Sequence, residues 1–300
     1  YKTTFERGVF ALNISIDDNS KINGLLVKPF AEEVNTENVI NNLSIKNSLT
    51  TKDQSEIIFE NTKVFPNNTQ LSIAIINNGK VSYYGIKKES DTISTIDNQK
   101  SIFEIGSISK VFTSTLLANF VIDGKVKLND NINDYLKDPI KNSTEISFID
   151  LANHTSGLPR LPSNLDLTNV DPENPYKEYK EKELEDYVTN QLELSNKGEN
   201  QYSNLGAGLL GYTLSKIEND TYESLLQNKI FSKYDMQNST TDITTIKGNL
   251  VKGLNNEGIE VPNWDLAVLA GAGAIFSTVE DLSQFAISQF EYKNKELELT

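Results

Sequence analysis

The chain has 300 residues, of which 28 are Lys or Arg and 42 are Asp or Glu, so its formal net charge is −14 at pH 7. A chain this acidic repels a phosphate backbone, and we exclude nucleic acid as a partner. No apolar stretch is long enough to span a membrane. The absence of cysteine excludes disulfides and thiolate chemistry, and the single histidine, His154, excludes a His-rich metal centre.

The first predicted elements form a hairpin. Apolar residues alternate over residues 9–16, a polar turn follows at 17–20, and a second apolar stretch covers 22–27. This pattern predicts a β-hairpin. We interpret residues 1–30 as this N-terminal hairpin, with the alternative that it is the end of a preceding domain. The polar residues 32–50 are predicted to be a connector with some helix.

A helix and a second hairpin come next. Thr51 and Gln54 form a capping-box pattern at the start of a helix that we predict to end near Glu60. The continuous apolar run at residues 71–76 predicts a buried strand. An Asn-Asn-Gly-Lys turn then leads into a strand at residues 81–86, which completes the hairpin.

The segment Phe-Glu-Ile-Gly-Ser-Ile-Ser-Lys, residues 103–110, precedes a helical pattern that we predict to stop at Gly124. Residues three apart share a helix face, with Cβ atoms roughly 5–6 Å apart, so the Lys110 amine can reach the Ser107 hydroxyl. A serine is a poor nucleophile until a neighbouring base takes its proton, and a helix start favours developing negative charge. A chain rich in Ser and Lys also produces about one such pattern by chance, so an unreactive serine is the alternative.

From residue 146 the pattern changes to helices separated by long polar loops. Ser147 can cap a short helix that leads to His154, and the four prolines of residues 159–177 predict an irregular surface loop. Further helical patterns lie at about residues 178–194, 204–217, 221–231 and 279–290. Strands followed by helices, with more strands expected after them, indicate an α+β fold.

A second chemical cluster is Tyr202-Ser203-Asn204. A tyrosine beside a cationic lysine has a lowered pKa and can shuttle protons. An Asn side chain offers a donor and an acceptor to a substrate amide or to the lysine. On these three residues alone, an ordinary loop before a helix is the better interpretation.

Four segments together resemble the serine β-lactamase-related hydrolases, which include class C β-lactamases, DD-peptidases, D-aminopeptidases and related esterases. Residues 103–110 resemble the nucleophile motif of that family, and residues 151–159 its L-x-x-H-T-S-G-L-P segment. Residues 202–212 match its Y-S-N…L-L-G-Y element, and residues 271–282 resemble its G-A-G-G-x-x-S-T-x-x-D-L segment. The segments occur in the family's order, and residues 71–85 fit its first hairpin.

The resemblance implies a β-lactamase/transpeptidase-like fold, in which an antiparallel sheet is flanked by helices. It implies a hydrolase domain over residues 31–300, with a mostly helical region at about residues 146–275. It also implies a small-molecule or peptide substrate, no metal, no organic cofactor, and export to the periplasm or cell surface. The oligomeric state is not determined by the sequence.

The resemblance further implies roles for individual residues. Ser107 is the acylated nucleophile, Lys110 its partner, and Tyr202 the proton shuttle. Asn204 orients the substrate, and the Ser107 backbone N–H is one donor to the oxyanion. We treat Lys110 and Tyr202 as a coupled pair and do not assign the base. His154 is better interpreted as a structural hydrogen-bonding residue beneath the site.

The sequence departs from the family at its third motif, Lys-Thr-Gly or His-x-Gly, which lies some tens of residues after the Gly-rich segment. The chain reaches Thr300 without either sequence. We therefore expect a processed or trimmed fragment of a longer protein that lacks the C-terminal strands of the family's main sheet. A weaker alternative is that the N-terminal hairpin takes the place of those missing strands in the sheet. The third motif supplies a second oxyanion donor, and one lost donor costs roughly 10²–10³ in rate.

Two functions stay open at this point. The first is a serine hydrolase that cleaves an ester, amide or lactam bond through an acyl-enzyme on Ser107. The second is a non-catalytic binding or sensor module of the penicillin-recognising type. The presence of Ser107, Lys110 and Tyr202 favours the hydrolase. The sequence does not decide between esters, D-amino-acid peptides and β-lactams as substrates. Ser203 in the Tyr-Ser-Asn motif is slightly more typical of peptidase or esterase relatives than of class C β-lactamases.

Overall fold

The computed structural model of the protein describes residues 2–5, 8–16, 21–29, 35–45, 51–290 and 294–299. Strands β1 (Lys2–Phe5), β2 (Gly8–Ile16) and β3 (Ile22–Pro29) form an antiparallel sheet in that order. The β2–β3 pair contains the predicted hairpin strands, whose turn at residues 17–20 lies outside the described residues. Strand β1 is an addition, because its Lys-Thr-Thr-Phe sequence is too short to carry an alternating pattern. The assignment of residues 1–30 and 31–300 to separate units stays a prediction.

A four-stranded sheet follows the first one along the chain. Its elements are β4 (Ile40–Asn42), α1 (Lys52–Thr62), β5 (Gln70–Asn77), β6 (Lys80–Glu89) and β7 (Thr92–Ile96). The strand order is β4-β7-β6-β5, and every pair is antiparallel except β4 with β7, which is parallel. The prediction of an antiparallel sheet is therefore right for three of these strands.

The local signals around this sheet are confirmed. Thr51 and Gln54 form the reciprocal capping box of α1. Asn78 and Gly79 both have positive φ, 51° and 73°, as a two-residue hairpin turn between right-twisted strands requires.

Two expectations for this region are not met by the described residues. The described part of the connector, residues 35–45, contains strand β4 and no helix, because the Ile40 N–H donates to the distant Asp91 carbonyl oxygen at 2.8 Å. The rest of the predicted connector, residues 32–34 and 46–50, lies outside the described residues, so its helix stays a prediction. Strand β5 is half-buried rather than buried, since within the described ranges it pairs only with β6 and lies at the sheet edge. Neither outcome is encoded in the local sequence.

The remaining elements surround the main core. They are β8 (Phe103–Glu104), α2 (Ser109–Ile122), α3 (Phe148–Ala152), α4 (Glu181–Asp186), α5 (Asn204–Glu218), α6 (Tyr222–Leu226), β9 (Gly253–Leu254), β10 (Glu260–Val261), β11 (Phe276–Ser277) and α7 (Val279–Ser288). Single π-helical turns extend α4 through Tyr187–Gln191 and α6 through Gln227–Phe231. The predicted helices and the irregular loop at residues 159–177 are confirmed.

Helix α2 passes through the main core. Phe112, Leu116 and Phe120 are each at most 1% exposed and contribute to one large apolar cluster. The helix ends as predicted: Gly124 has φ of 68°, and the Lys125 N–H donates to the Phe120 carbonyl oxygen at 2.9 Å. This left-handed cap satisfies a carbonyl that the last turn leaves free.

Helix α5 packs tightly against the 3₁₀-helical segment Ala267–Ala272. A Cβ on Gly271 would lie 2.6 Å from the Ala207 carbonyl oxygen, and one on Gly211 would lie 3.1 Å from the Gly271 Cα. A Cβ on Gly208 would lie 2.6 Å from a Leu269 methyl carbon. The missing side chains therefore let the two backbones touch.

Across the described ranges, no helix is both long and apolar enough to cross a membrane. The same residues hold no group of three or more His, Asp or Glu side chains arranged to bind a metal ion.

We predict that Gly271→Ala lowers the free energy of unfolding by about 1–3 kcal/mol, because the new methyl group overlaps the α5 backbone. Urea denaturation measures the change. Gly248→Ala is the matched control, since its added methyl group meets no backbone atom and only the Ile102 side chain, whose terminal carbon is nearest at 3.1 Å. Equal unfolding midpoints for the two variants would contradict this packing account.

Candidate active site

Ser107 lies in the 3₁₀ turn Gly106–Ile108, which leads directly into α2. The turn is held by the Gly-rich segment near β11. The Ile105 N–H donates to the Ile275 carbonyl oxygen at 3.0 Å, and the Ile275 N–H donates to the Ser109 Oγ at 3.1 Å. The buried Ser109 is therefore structural, whereas Ser107 is exposed at the start of the helix.

Three of the predicted site residues meet at one oxygen atom. The Lys110 Nζ lies 3.1 Å from the Ser107 Oγ, and the Tyr202 hydroxyl lies 2.6 Å from the same atom. The Lys110 Nζ also donates to the Ala272 carbonyl oxygen at 2.6 Å. Both the lysine and the tyrosine are thus placed to exchange a proton with the serine hydroxyl.

Tyr202 is positioned by the segment around His154. The Ser203 N–H donates to the His154 Nδ1 at 3.2 Å, and the Ser203 Oγ donates to the Pro159 carbonyl oxygen at 2.6 Å. The Ser203 Oγ also caps α5 by accepting from the Gly206 N–H at 2.8 Å. The rings of His154 and Tyr202 are 4.8 Å apart. These contacts match the structural hydrogen-bonding role expected of His154, and they give Ser203 a structural role as well.

Asn204, the fourth predicted residue, begins α5 and lines a pocket of about 120 Å³ next to Ser107. Its backbone N–H donates to the Arg160 carbonyl oxygen at 3.0 Å. Its side chain makes no hydrogen bond with any residue that the structure describes, and does not bind Lys110. The amide is therefore available to a ligand.

Two cations lie against the Tyr202 ring. The Lys110 Nζ is 4.7 Å from the ring centroid, and the Arg160 guanidinium carbon is 5.2 Å from it. No carboxylate in the described part of the chain forms an ion pair with either one. Arg160 was not predicted from the motifs, although the chain contains only one other arginine and Arg160 directly follows the L-P of a family segment.

The surroundings lower the pKa values of both Lys110 and Tyr202. Burial lowers the pKa of Lys110 below its ordinary value, and this outweighs the hydrogen bond with Tyr202, which favours the charged amine. Burial raises the pKa of Tyr202, but hydrogen bonds to Lys110 and Ser107 and the charges of Lys110 and Arg160 outweigh it, so that the net shift is downward. Because the hydrogen bond and charge of each group affect the pKa of the other, Lys110 and Tyr202 titrate as a coupled pair.

No sequence motif predicted two aromatic residues that line the pocket. Tyr176 belongs to the proline-rich loop and Trp264 precedes the Gly-rich segment, and their ring centroids are 5.4 Å apart. The only available signal was that Trp264 is the single tryptophan of the chain.

The pH dependence of stability tests the contact between His154 and Ser203. Burial, and next the charge of Lys110, lower the pKa of His154, so the folded chain favours the neutral imidazole that accepts the Ser203 N–H. The unfolded chain binds a proton more readily. The stabilisation is therefore complete above pH 6.5, the ordinary His pKa, and is lost as the pH falls through the lower folded value.

We predict that His154→Asn, which tolerates the left-handed backbone of this residue (φ 59°), flattens the fall in unfolding free energy below pH 6.5. Urea denaturation between pH 5 and 7.5 measures it. Since the chain has no other histidine, its remaining groups provide the same background in both proteins. Identical pH slopes for the variant and the original chain would contradict the prediction.

Comparison with known proteins assigns the chain to a family. The family model described as Beta-lactamase matches residues 67–299. A β-lactamase of Providencia stuartii is 33% identical over 162 residues, which cover 52% of this chain and 38% of that protein. The D-alanyl-D-alanine-carboxypeptidase/endopeptidase AmpH of Escherichia coli K12 is 28% identical over 189 residues, which cover 62% of this chain and 48% of that protein. The chain thus matches less than half the length of either relative.

Solved structures agree with the predicted fold. A class C β-lactamase from Rhodobacter sphaeroides superimposes with a TM-score of 0.64 at 22% identity, covering 81% of this chain and 67% of that one. The β-lactamase/transpeptidase-like fold is confirmed by this likeness. With a family model matched over most of its residues, the chain belongs to the β-lactamase family.

Proposed function

We propose that the chain carries the nucleophile of a serine hydrolase that works through an acyl-enzyme on Ser107. The observation that carries the proposal is the meeting of the Lys110 Nζ and the Tyr202 hydroxyl at the Ser107 Oγ, at 3.1 and 2.6 Å. A hydroxyl needs such a neighbouring base to become a nucleophile. The family match supports hydrolysis as the reaction class.

The proposed reaction has two halves. The Ser107 Oγ attacks the carbonyl carbon and forms a C–O bond, while its proton passes to the coupled pair of Lys110 and Tyr202. The pair then gives a proton to the leaving alcohol or amine as the substrate's acyl bond breaks. In the second half, water attacks the acyl carbon of the acyl-enzyme and loses a proton to the pair. The ester bond to the Ser107 Oγ then breaks, the pair returns the proton to that oxygen, and the carboxylic acid is released.

The proposed charge stabilisation comes from the start of α2. Negative charge develops on the carbonyl oxygen next to Ser107, where the free N–H groups of a helix start favour an anion. The Ser107 N–H is our proposed donor from this turn. The Asn204 amide, which is free to bind, is proposed to orient the substrate.

The bond that is cleaved belongs to an ester, amide or lactam. One relative is named a β-lactamase and another a D-alanyl-D-alanine-carboxypeptidase/endopeptidase, and both reactions proceed at an acyl carbon. Export to the periplasm or cell surface stays a prediction.

We predict that a fluorophosphonate adds one label to the chain and that peptide mapping places the label on Ser107. The Ser107→Ala variant should gain no label, because no other serine contacts both a lysine amine and a tyrosine hydroxyl in the described residues. Intact mass measures both results. A folded chain that stays unlabelled would favour the alternative function, a non-catalytic binding or sensor module.

We predict that Tyr202→Phe slows labelling by roughly 10²-fold or more, the usual contribution of a positioned acid–base group. Tyr212→Phe is the matched control, since its hydroxyl donates to the carboxylates of Glu181 and Glu185 on α4 and not to a residue of the site. The labelling rate should be unchanged in this control. Equal rates for the two variants would remove Tyr202 from the proposed proton transfer.

A further inference from the structure

We propose that the pocket beside Ser107 binds a compact apolar acyl group, so that the preferred substrates are esters or amides of short uncharged carboxylic acids. This inference rests on the proposed function, because it assigns the acyl side of the same reaction. The part of the pocket formed by Tyr176, Trp264, Leu266 and Leu269 is called the aromatic wall below.

The pocket opens directly onto the nucleophile. It has a volume of about 120 Å³, and its lining residues are Gly106, Ser107, Tyr176, Asn204, Trp264, Leu266, Leu269, Ala272 and Gly273. None of these residues is charged. A charged acyl group would lose its hydration here without an opposite charge to replace it, whereas an apolar group gains from burial.

The proton donors lie outside this pocket. Lys110 and Tyr202 contact the Ser107 Oγ but are not among the lining residues. The leaving group receives its proton from this pair, so it must face Lys110 and Tyr202. The other substituent of the carbonyl carbon, the acyl group, is then directed into the pocket.

The aromatic wall is held in place before any ligand binds. The Trp264 backbone N–H donates to the Glu104 Oε1 at 2.8 Å, and the Asp265 backbone N–H donates to the Asn174 Oδ1 at 2.9 Å. The Trp264 ring rests against Tyr176, with an angle of 59° between the rings. Two separate chain segments, β8 and the proline-rich loop, therefore hold the segment that carries Trp264.

Trp264 is 45% exposed in spite of these contacts. Single exposed apolar residues are common on protein surfaces. This one differs because it is fixed at the mouth of a pocket that contains the nucleophile. A rigid aromatic side chain in that place provides contact area at little cost in conformational entropy, as the anchors of binding sites do.

Matched p-nitrophenyl esters test the preference. The butyrate and the hemisuccinate have acyl chains of equal length, and only the hemisuccinate carries a terminal carboxylate. We expect kcat/KM to be at least about 10-fold higher for the butyrate, and the ratio of butyrate to acetate to fall about 10-fold in Trp264→Ala, within the range for apolar pockets. Trp264→Phe should keep most of the ratio.

Phe65→Ala is the control for loss of an exposed aromatic ring, because Phe65 is 41% exposed and does not line the pocket. Its butyrate-to-acetate ratio should equal that of the original chain. Equal use of butyrate and hemisuccinate, or an unchanged ratio in Trp264→Ala, would overturn the inference.

Binding to the Ser107→Ala variant separates this inference from the proposed function. Since Trp264 is the only tryptophan, its fluorescence reports on the pocket directly. We expect butyramide to shift the emission and succinamate to leave it unchanged. A shift without ester hydrolysis by the original chain would reject the hydrolase and keep the pocket assignment, whereas hydrolysis without any shift would reject the pocket assignment alone.

Discussion

The close contact between α5 and the segment Ala267–Ala272 is the constraint on which the site depends. Without side chains at Gly211 and Gly271, the two backbones touch. This contact brings the Ala272 carbonyl oxygen to the Lys110 amine at 2.6 Å, and the Gly271 carbonyl oxygen to the buried Thr113 hydroxyl at 2.8 Å. Helix α2, which carries Lys110 and directly follows the turn of Ser107, is thereby fixed relative to α5, whose first turn follows Tyr202. A backbone contact without side chains therefore sets the distances within the site.

The electrostatics of the site differ from those of the whole chain. The protein has a net charge of −14, yet Lys110 and Arg160 lie beside Tyr202, and no carboxylate among the described residues pairs with them. Burial raises the pKa of the phenol, but hydrogen bonds with Lys110 and Ser107 and the two positive charges lower it by more, so that the net shift is downward. Burial lowers the pKa of the amine. In the proposed function, this arrangement activates a serine without a histidine. His154 instead accepts the Ser203 N–H and so holds the loop that carries Tyr202.

The sequence predicts those parts of the structure that local patterns encode. The Ser107–Lys110 spacing, the cap of α1 and the glycine at the end of α2 each depend on neighbouring residues, and each has its expected local geometry. Strand β4 and the half-burial of β5 depend on which strands pair across the sheet, which no local pattern contains. The aromatic wall could not be predicted for the same reason, because Tyr176 and Trp264 come together only when two distant loops fold against each other.

The central claim is a covalent acyl-enzyme on Ser107, and the most direct measurement is the intact mass of the chain quenched in acid during turnover of an ester. The account predicts a mass increase of one acyl group, which peptide mapping places on Ser107 and which the Ser107→Ala variant lacks. Ester hydrolysis that proceeds in Ser107→Ala at the original rate, or an acyl group found on another residue, would contradict it.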